Sequence, residues 1–89
     1  MNTNVVQMVA MSPRGDAVQF KIEVNGKTLS CSITRAALED HFWLEKRANE
    51  ARLLGRFWDG QKRIAAIAER KARRSAAERI ELTSQDFVR

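Results

Sequence analysis

Three groups of residues in this sequence are of types that carry chemistry: a single cysteine, a single histidine beside two carboxylates, and a row of arginines. Cys31 and His41 would supply a nucleophile and its base, and spacing alone does not forbid the pair, yet no strained elbow or oxyanion motif accompanies them. Cys31 lies in an alternating segment on its apolar side, where a thiol behaves as a small apolar group. No basic residue shares that face nearby, so nothing visible lowers its pKa. Glu39 and Asp40 precede His41, but successive helical side chains diverge by about 100°, so this run is not a chelate. A partly buried imidazole packed with Leu38 and Phe42, and bonded to a carbonyl or a carboxylate, suits the position better. No catalytic residue, metal or cofactor is expected; an enzyme built on this chain would have to use Cys31 or His41.

The arginines have a geometry. On an unbroken helix from Ala51 to Arg74, Arg52, Arg56, Arg63, Arg70 and Arg74 fall within a sector of about 40° and span about 33 Å. That row is the candidate surface for a polyanion or another partner. Asp59 falls in the same sector with Glu45, Glu50 and Glu69 close by, so the row is interrupted. No zinc finger, helix-turn-helix signature or aromatic platform on a strand face is present, which limits nucleic-acid binding to weak, salt-dependent contact with the phosphate backbone. Trp43 and Trp58 sit at or beyond the edges of the apolar helix faces. An exposed Trp beside Arg is a common interface anchor, so both are candidate contacts for a protein partner or a homodimer.

The elements that must hold these residues follow from periodicity. Val18, Phe20, Ile22 and Val24 alternate with Gln19, Lys21 and Glu23; after Asn25-Gly26, Leu29, Cys31 and Ile33 alternate with Thr28, Ser30 and Ser32. Asn-Gly between alternating strands predicts a two-residue hairpin turn. The register then places Val24 opposite Lys27, Ile22 opposite Leu29, Phe20 opposite Cys31 and Val18 opposite Ile33, apolar against apolar. Thr34 is a helix N-cap, followed by a short helix from Arg35 to about Trp43 and a bend or loop over residues 44–50. The long helix comes next, its apolar flank of Leu53, Leu54, Phe57, Trp58, Ile64, Ala65, Ala68 and Ala72 about 140° wide. Gly60 lies inside it without disturbing the phase, so a kink there is compatible with the pattern and a chain reversal is not expected. Ile80 and Leu82 form a short last strand that joins the hairpin sheet, and Phe87 anchors the tail. Residues 1–16 hold an extra N-terminal edge strand and a turn over Ser12 to Asp16. The expected fold is α+β in the order ββααβ, one domain over residues 1–89, with the sheet covered by one short and one long helix.

Composition narrows the function classes. The chain has 89 residues and a net charge of +5, and the whole surplus lies after residue 42. One cysteine excludes an internal disulfide and a cysteine-based zinc site, and suits a reducing compartment. The apolar run Val5 to Met11 lacks the basic region and cleavage site of an export signal, and nothing reaches the length of a membrane span. A cytoplasmic protein without a membrane is expected.

The run Ala37-Leu38-Glu39-Asp40-His41-Phe42 follows the Val24-Asn25-Gly26 hairpin, with Cys31 and Ile33 on its second strand. Phe57, Arg63-Ile64, Ala68 and finally Asp86-Phe87 come after it. With these residues the chain from Ala17 to Phe87 resembles a small bacterial family, the domain of unknown function 1488. The resemblance implies a compact α+β domain in a bacterial cytoplasm and offers no catalytic residues. The reading that follows is a small non-enzymatic binding or protein-interaction module, with a phosphate-backbone-binding accessory protein as the alternative.

Overall fold

The computed structural model describes residues 4–24, 26–75 and 79–87, with side chains from residue 9 to residue 74 and again from Arg79. Strands β1 (Asn4–Met11), β2 (Ala17–Val24) and β3 (Lys27–Thr34) precede helices α1 (Arg35–His41), α2 (Glu50–Asp59) and α3 (Gln61–Ser75). Strand β4 (Arg79–Leu82) and a 3-10 turn at Ser84–Phe87 close the chain. The sheet runs β1-β2-β3-β4, which is the expected α+β class.

The hairpin adopts the predicted register from Val18↔Ile33 to Val24↔Lys27. Gly26 has φ +80°, a conformation that costs a residue without Cβ nothing; Asn25, the other half of the turn, lies outside the described residues. The N-terminal segment does form a strand. It is antiparallel to β2, and the ladder slips between Val6 and Ala10, which accounts for the imperfect alternation there. β4 joins at the other side, parallel to β3, with Cys31↔Ile80 and Ile33↔Leu82. A parallel neighbour needs a crossover, and the three helices are that crossover. Two apolar rows result, Phe20-Cys31-Ile80 and Val18-Ile33-Leu82, all buried on the helix side.

The long helix departs from expectation in one respect: it is interrupted at Gly60. That residue has φ −102° and ψ 11°. Its amide donates to the carbonyls of Arg56 and Phe57, closing α2, while its own carbonyl accepts from Ile64 at 2.9 Å and opens α3. A Cβ at residue 60 would overlap the ring of Phe42, so the crossing admits only glycine. The apolar flank survives the break: Leu53, Phe57, Ile64, Ala65, Ala68 and Ala72 are buried, as expected, and Trp58 is not.

Two side chains, Arg35 and Asn49, organise the loop between α1 and α2. Arg35 donates from Nη2 to the carbonyls of Lys46 (2.8 Å) and Ala48 (2.9 Å), and from Nε to Glu39 (3.1 Å). Asn49 caps α2 by accepting from the Arg52 amide at 2.9 Å, as Thr34 caps α1 through Ala37 at 3.1 Å. Leu44 and Ala48, off the helical stripe, are thereby buried in the core.

The C-terminal turn is fastened by Asp86, which accepts from the Thr83 amide at 2.8 Å and from Lys71 Nζ at 3.0 Å. Burial raises the pKa of this carboxyl, but the Thr83 amide and the Lys71 ammonium outweigh it and hold the group below its ordinary 3.8. A carboxyl depressed in the folded state stabilises fully above its unfolded pKa and loses that stabilisation as pH falls through the folded value. The urea midpoint is therefore expected to drop below about pH 4. Asp86→Asn should have a lower midpoint at neutral pH and a flatter acid limb. An unchanged acid limb in that variant would assign the acid sensitivity to other carboxylates.

Candidate partner-binding cleft

The two tryptophans, fifteen positions apart in the sequence, line one cleft. It has a volume of about 630 Å3, and its walls include Phe42, Trp43, Arg56, Trp58, Asp59, Gly60, Lys62 and Arg63. The wall that carries Trp43 follows directly from the end of α1. Phe42 closes that helix by donating to the Leu38 carbonyl at 2.9 Å, and the Leu44 amide returns to the same carbonyl at 3.2 Å. Between them Trp43 takes φ +59°, the left-handed conformation that ends many helices and is normally given to glycine. Its indole is 81% exposed.

The other wall is the α2–α3 junction. Trp58 is 37% exposed and stands edge-on to the buried Phe57, with centroids 5.4 Å apart. Arg63 lies over the rings of Phe42 (5.3 Å) and Phe87 (5.7 Å), which themselves meet at 90° and 5.4 Å. Stacking on two rings restricts the guanidinium and leaves its edge available to a ligand. Arg56 is 3.8 Å from Asp59, and Lys62 makes no ion pair among the described residues.

The arginine row is divided by the break at Gly60. Arg52 and Arg56 belong to α2, and Arg63, Arg70 and Arg74 to α3. Arg52 pairs with Glu45 and Arg56 with Asp59, while Arg70 and Arg74 are exposed and make no ion pair among the described residues. Lys62, absent from the arginine sector, enters the cleft because residue 60 is where the chain bends past Phe42. The glycine two positions after Trp58 was the available sequence signal.

His41 and Cys31 are engaged elsewhere. His41 Nε2 is 3.1 Å from the Ser84 carbonyl; a carbonyl only accepts, so this nitrogen carries the proton. The imidazole stacks at 5.5 Å on Phe87, and Asp40 accepts from the Ser84 hydroxyl. Neither Glu39 nor Asp40 reaches the basic helices: Glu39 pairs with Arg35. Cys31 is buried on the sheet, where burial pushes its thiol from 9.0 up to about 11, against a lowering hydrogen bond with the Ile22 backbone. Two pKa units correspond to about a hundredfold less thiolate at neutral pH. Alkylation by iodoacetamide is expected to be at least that much slower in the folded protein than in urea, and equal rates would contradict the buried placement. Among the described residues, no group of three or more His, Cys, Asp or Glu is placed to hold a metal ion, and no helix is long and apolar enough to cross a membrane.

A mixed four-stranded sheet with a helical crossover over one face defines a two-layer α+β protein. The chain belongs to the family described as "Protein of unknown function (DUF1488)", whose model matches residues 7–82. Among solved structures it is similar to a protein of unknown function from the same family in Shewanella loihica PV-4. That likeness has a TM-score of 0.75 at 23% identity and covers 92% of this chain and 94% of the other. At that identity it is a likeness of fold. No curated protein matches the chain.

Proposed function

We propose that this protein is a non-enzymatic binding module of the bacterial cytoplasm that takes its partner in the cleft between Trp43 and Trp58. The observation that carries the proposal is the backbone of Trp43. A left-handed φ costs a residue with a Cβ about 1–2 kcal/mol, and an indole that is 81% exposed recovers little of that by burial. Glycine at this position would be better for the fold. Strain kept at an exposed aromatic, on the rim of a cleft that also holds Arg56 and Arg63, is the pattern of a contact residue. The non-enzymatic part is supported by the thiol of Cys31, kept neutral by burial, and by the imidazole of His41, occupied by Ser84 and Phe87. The cytoplasmic assignment rests on the cysteine usage of the chain.

Trp43→Gly is expected to raise stability in urea by about 0.5–1 kcal/mol. Partner capture is read separately, by placing a photo-crosslinking benzoylphenylalanine at position 43 in the producing cell, with Ser30 on the outer sheet face as the control position. Adducts at position 43 and not at position 30 are the expected result. Equal yields at both positions, or none at either, would remove the cleft from consideration.

A further inference from the structure

We infer that the cleft's partner is a single-stranded nucleic acid, held by base stacking on Trp43 and by phosphate contact with Lys62 and Arg63; this rests on the cleft being the binding site. Three features of the cleft have to be explained together: an indole with nearly free faces, a second indole fixed edge-on to Phe57, and an excess of cations over the single carboxylate of Asp59. An apolar protein segment would account for the indoles and leave the cations facing it unpaired. A second copy of this chain would bring Arg56, Lys62 and Arg63 against their own equivalents across a two-fold axis, in a protein of net charge +5, which like-charge repulsion opposes. An acidic peptide satisfies the cations but presents a flat π face to the indole only where its sequence supplies an aromatic side chain. A single strand offers both at once, bases with π faces and one phosphate per nucleotide. Duplex does neither well, because its bases are already stacked.

The mode differs from the backbone contact that a continuous arginine row would make. Arg52 and Arg56 are each paired with a carboxylate, whereas Lys62 makes no ion pair among the described residues and Arg63 is held on two rings. Stacking is expected to be indifferent to base identity, and any base preference to come from Gln61, the one side chain lining the cleft that carries a donor and an acceptor in a single plane.

The experiment is a titration of the full chain with a single-stranded oligothymidylate of about 12 nucleotides, followed by tryptophan fluorescence. Both tryptophans of the chain line the cleft, so the signal reports that site. Quenching is expected at low salt, with log K falling by about 1.4 per decade of salt for two phosphate contacts on a single strand. Trp43→Gly should weaken binding by about tenfold or more, Trp43→Phe should retain most of it, and Lys62→Glu should weaken it and flatten the salt dependence. A duplex of the same length should bind more weakly. Absence of quenching at low salt, or unchanged affinity in Trp43→Gly, overturns the inference. Polyglutamate that quenches equally well, with the same dependence on Trp43, overturns it in favour of an acidic protein segment. If the oligonucleotide fails while benzoylphenylalanine at position 43 still captures adducts, the ligand class is wrong and the binding module stands; if both fail, both readings fall.

Discussion

Truncating Phe57 to alanine is expected to cost about 3–5 kcal/mol of folding stability, the largest effect of any single substitution considered. Phe57 is fully buried and its ring lies 5.0 Å from that of Phe20, so it is the contact through which α2 holds the centre of the sheet. A domain of this length has a total stability of about 4–13 kcal/mol. Loss of Phe57 therefore consumes much or all of it. Thermal unfolding followed by circular dichroism should show the transition move sharply down or disappear, whereas Phe57→Leu should cost less than about 1.5 kcal/mol. Because Phe57 also sets the edge of Trp58, the leucine variant should fold yet shift tryptophan emission. A loss below about 1 kcal/mol in Phe57→Ala would mean that the site collapses around the gap, and that α2 is held chiefly by its other contacts.

Gly60→Ala is the second large effect, and its sign is informative. Treated as a residue inside an exposed helix, Gly60 should be improved by alanine by about 1 kcal/mol. The structure gives the opposite sign. The new methyl would overlap the ring of Phe42, and that ring cannot step aside, because Phe87 meets it edge-on and Arg63 lies over it. Overpacking of this kind costs about 1–3 kcal/mol, so the net change in urea is expected to be destabilising. No backbone strain enters, since φ −102° is open to alanine. A double-mutant cycle with Phe42→Leu isolates the cause: in that background the alanine should become neutral or favourable. If Gly60→Ala stabilises the wild-type background, the helix passes Phe42 at a greater distance than described, and the geometry of the cleft built on that crossing has to be redrawn.

These two sites mark the limit of what periodicity conveys. Phe57 was legible as core from its place on the apolar flank, with Leu53, Ile64 and Ala68, because that flank depends only on the rotation of about 100° per residue. The hairpin register, the Thr34 cap and the alternation of β2 with β3 were legible for the same reason: each rests on neighbours within a few positions. The break at Gly60 was not, since glycine occurs both inside a helix and at its end. The phase of the sequence passes through residue 60 unchanged, so an unbroken helix was the natural reading.

The site divides in the same way. Trp43 and Trp58 could be singled out as residues left over from the apolar faces, and Arg56 and Arg63 as parts of a basic face. Their convergence needed one local event, the left-handed turn at Trp43, and two between segments: the hold of Arg35 on the carbonyls of Lys46 and Ala48 and the close passage of Gly60 over Phe42. The parallel placement of β4 beside β3 also depended on how the three helices cross the sheet.

What the amino-acid sequence determined by itself was the local content of the protein: which segments are strands and helices, which side of each is apolar, how the hairpin aligns, and where the positive charge lies. These follow from backbone geometry and from the preference of apolar side chains for one another over water, and they act over short stretches of chain. Tertiary structure alone decided where one long helix becomes two and that two distant tryptophans share a wall with Lys62 and Arg63. Both outcomes involve steric exclusion and hydrogen bonds between residues far apart in the chain, and no periodicity records them.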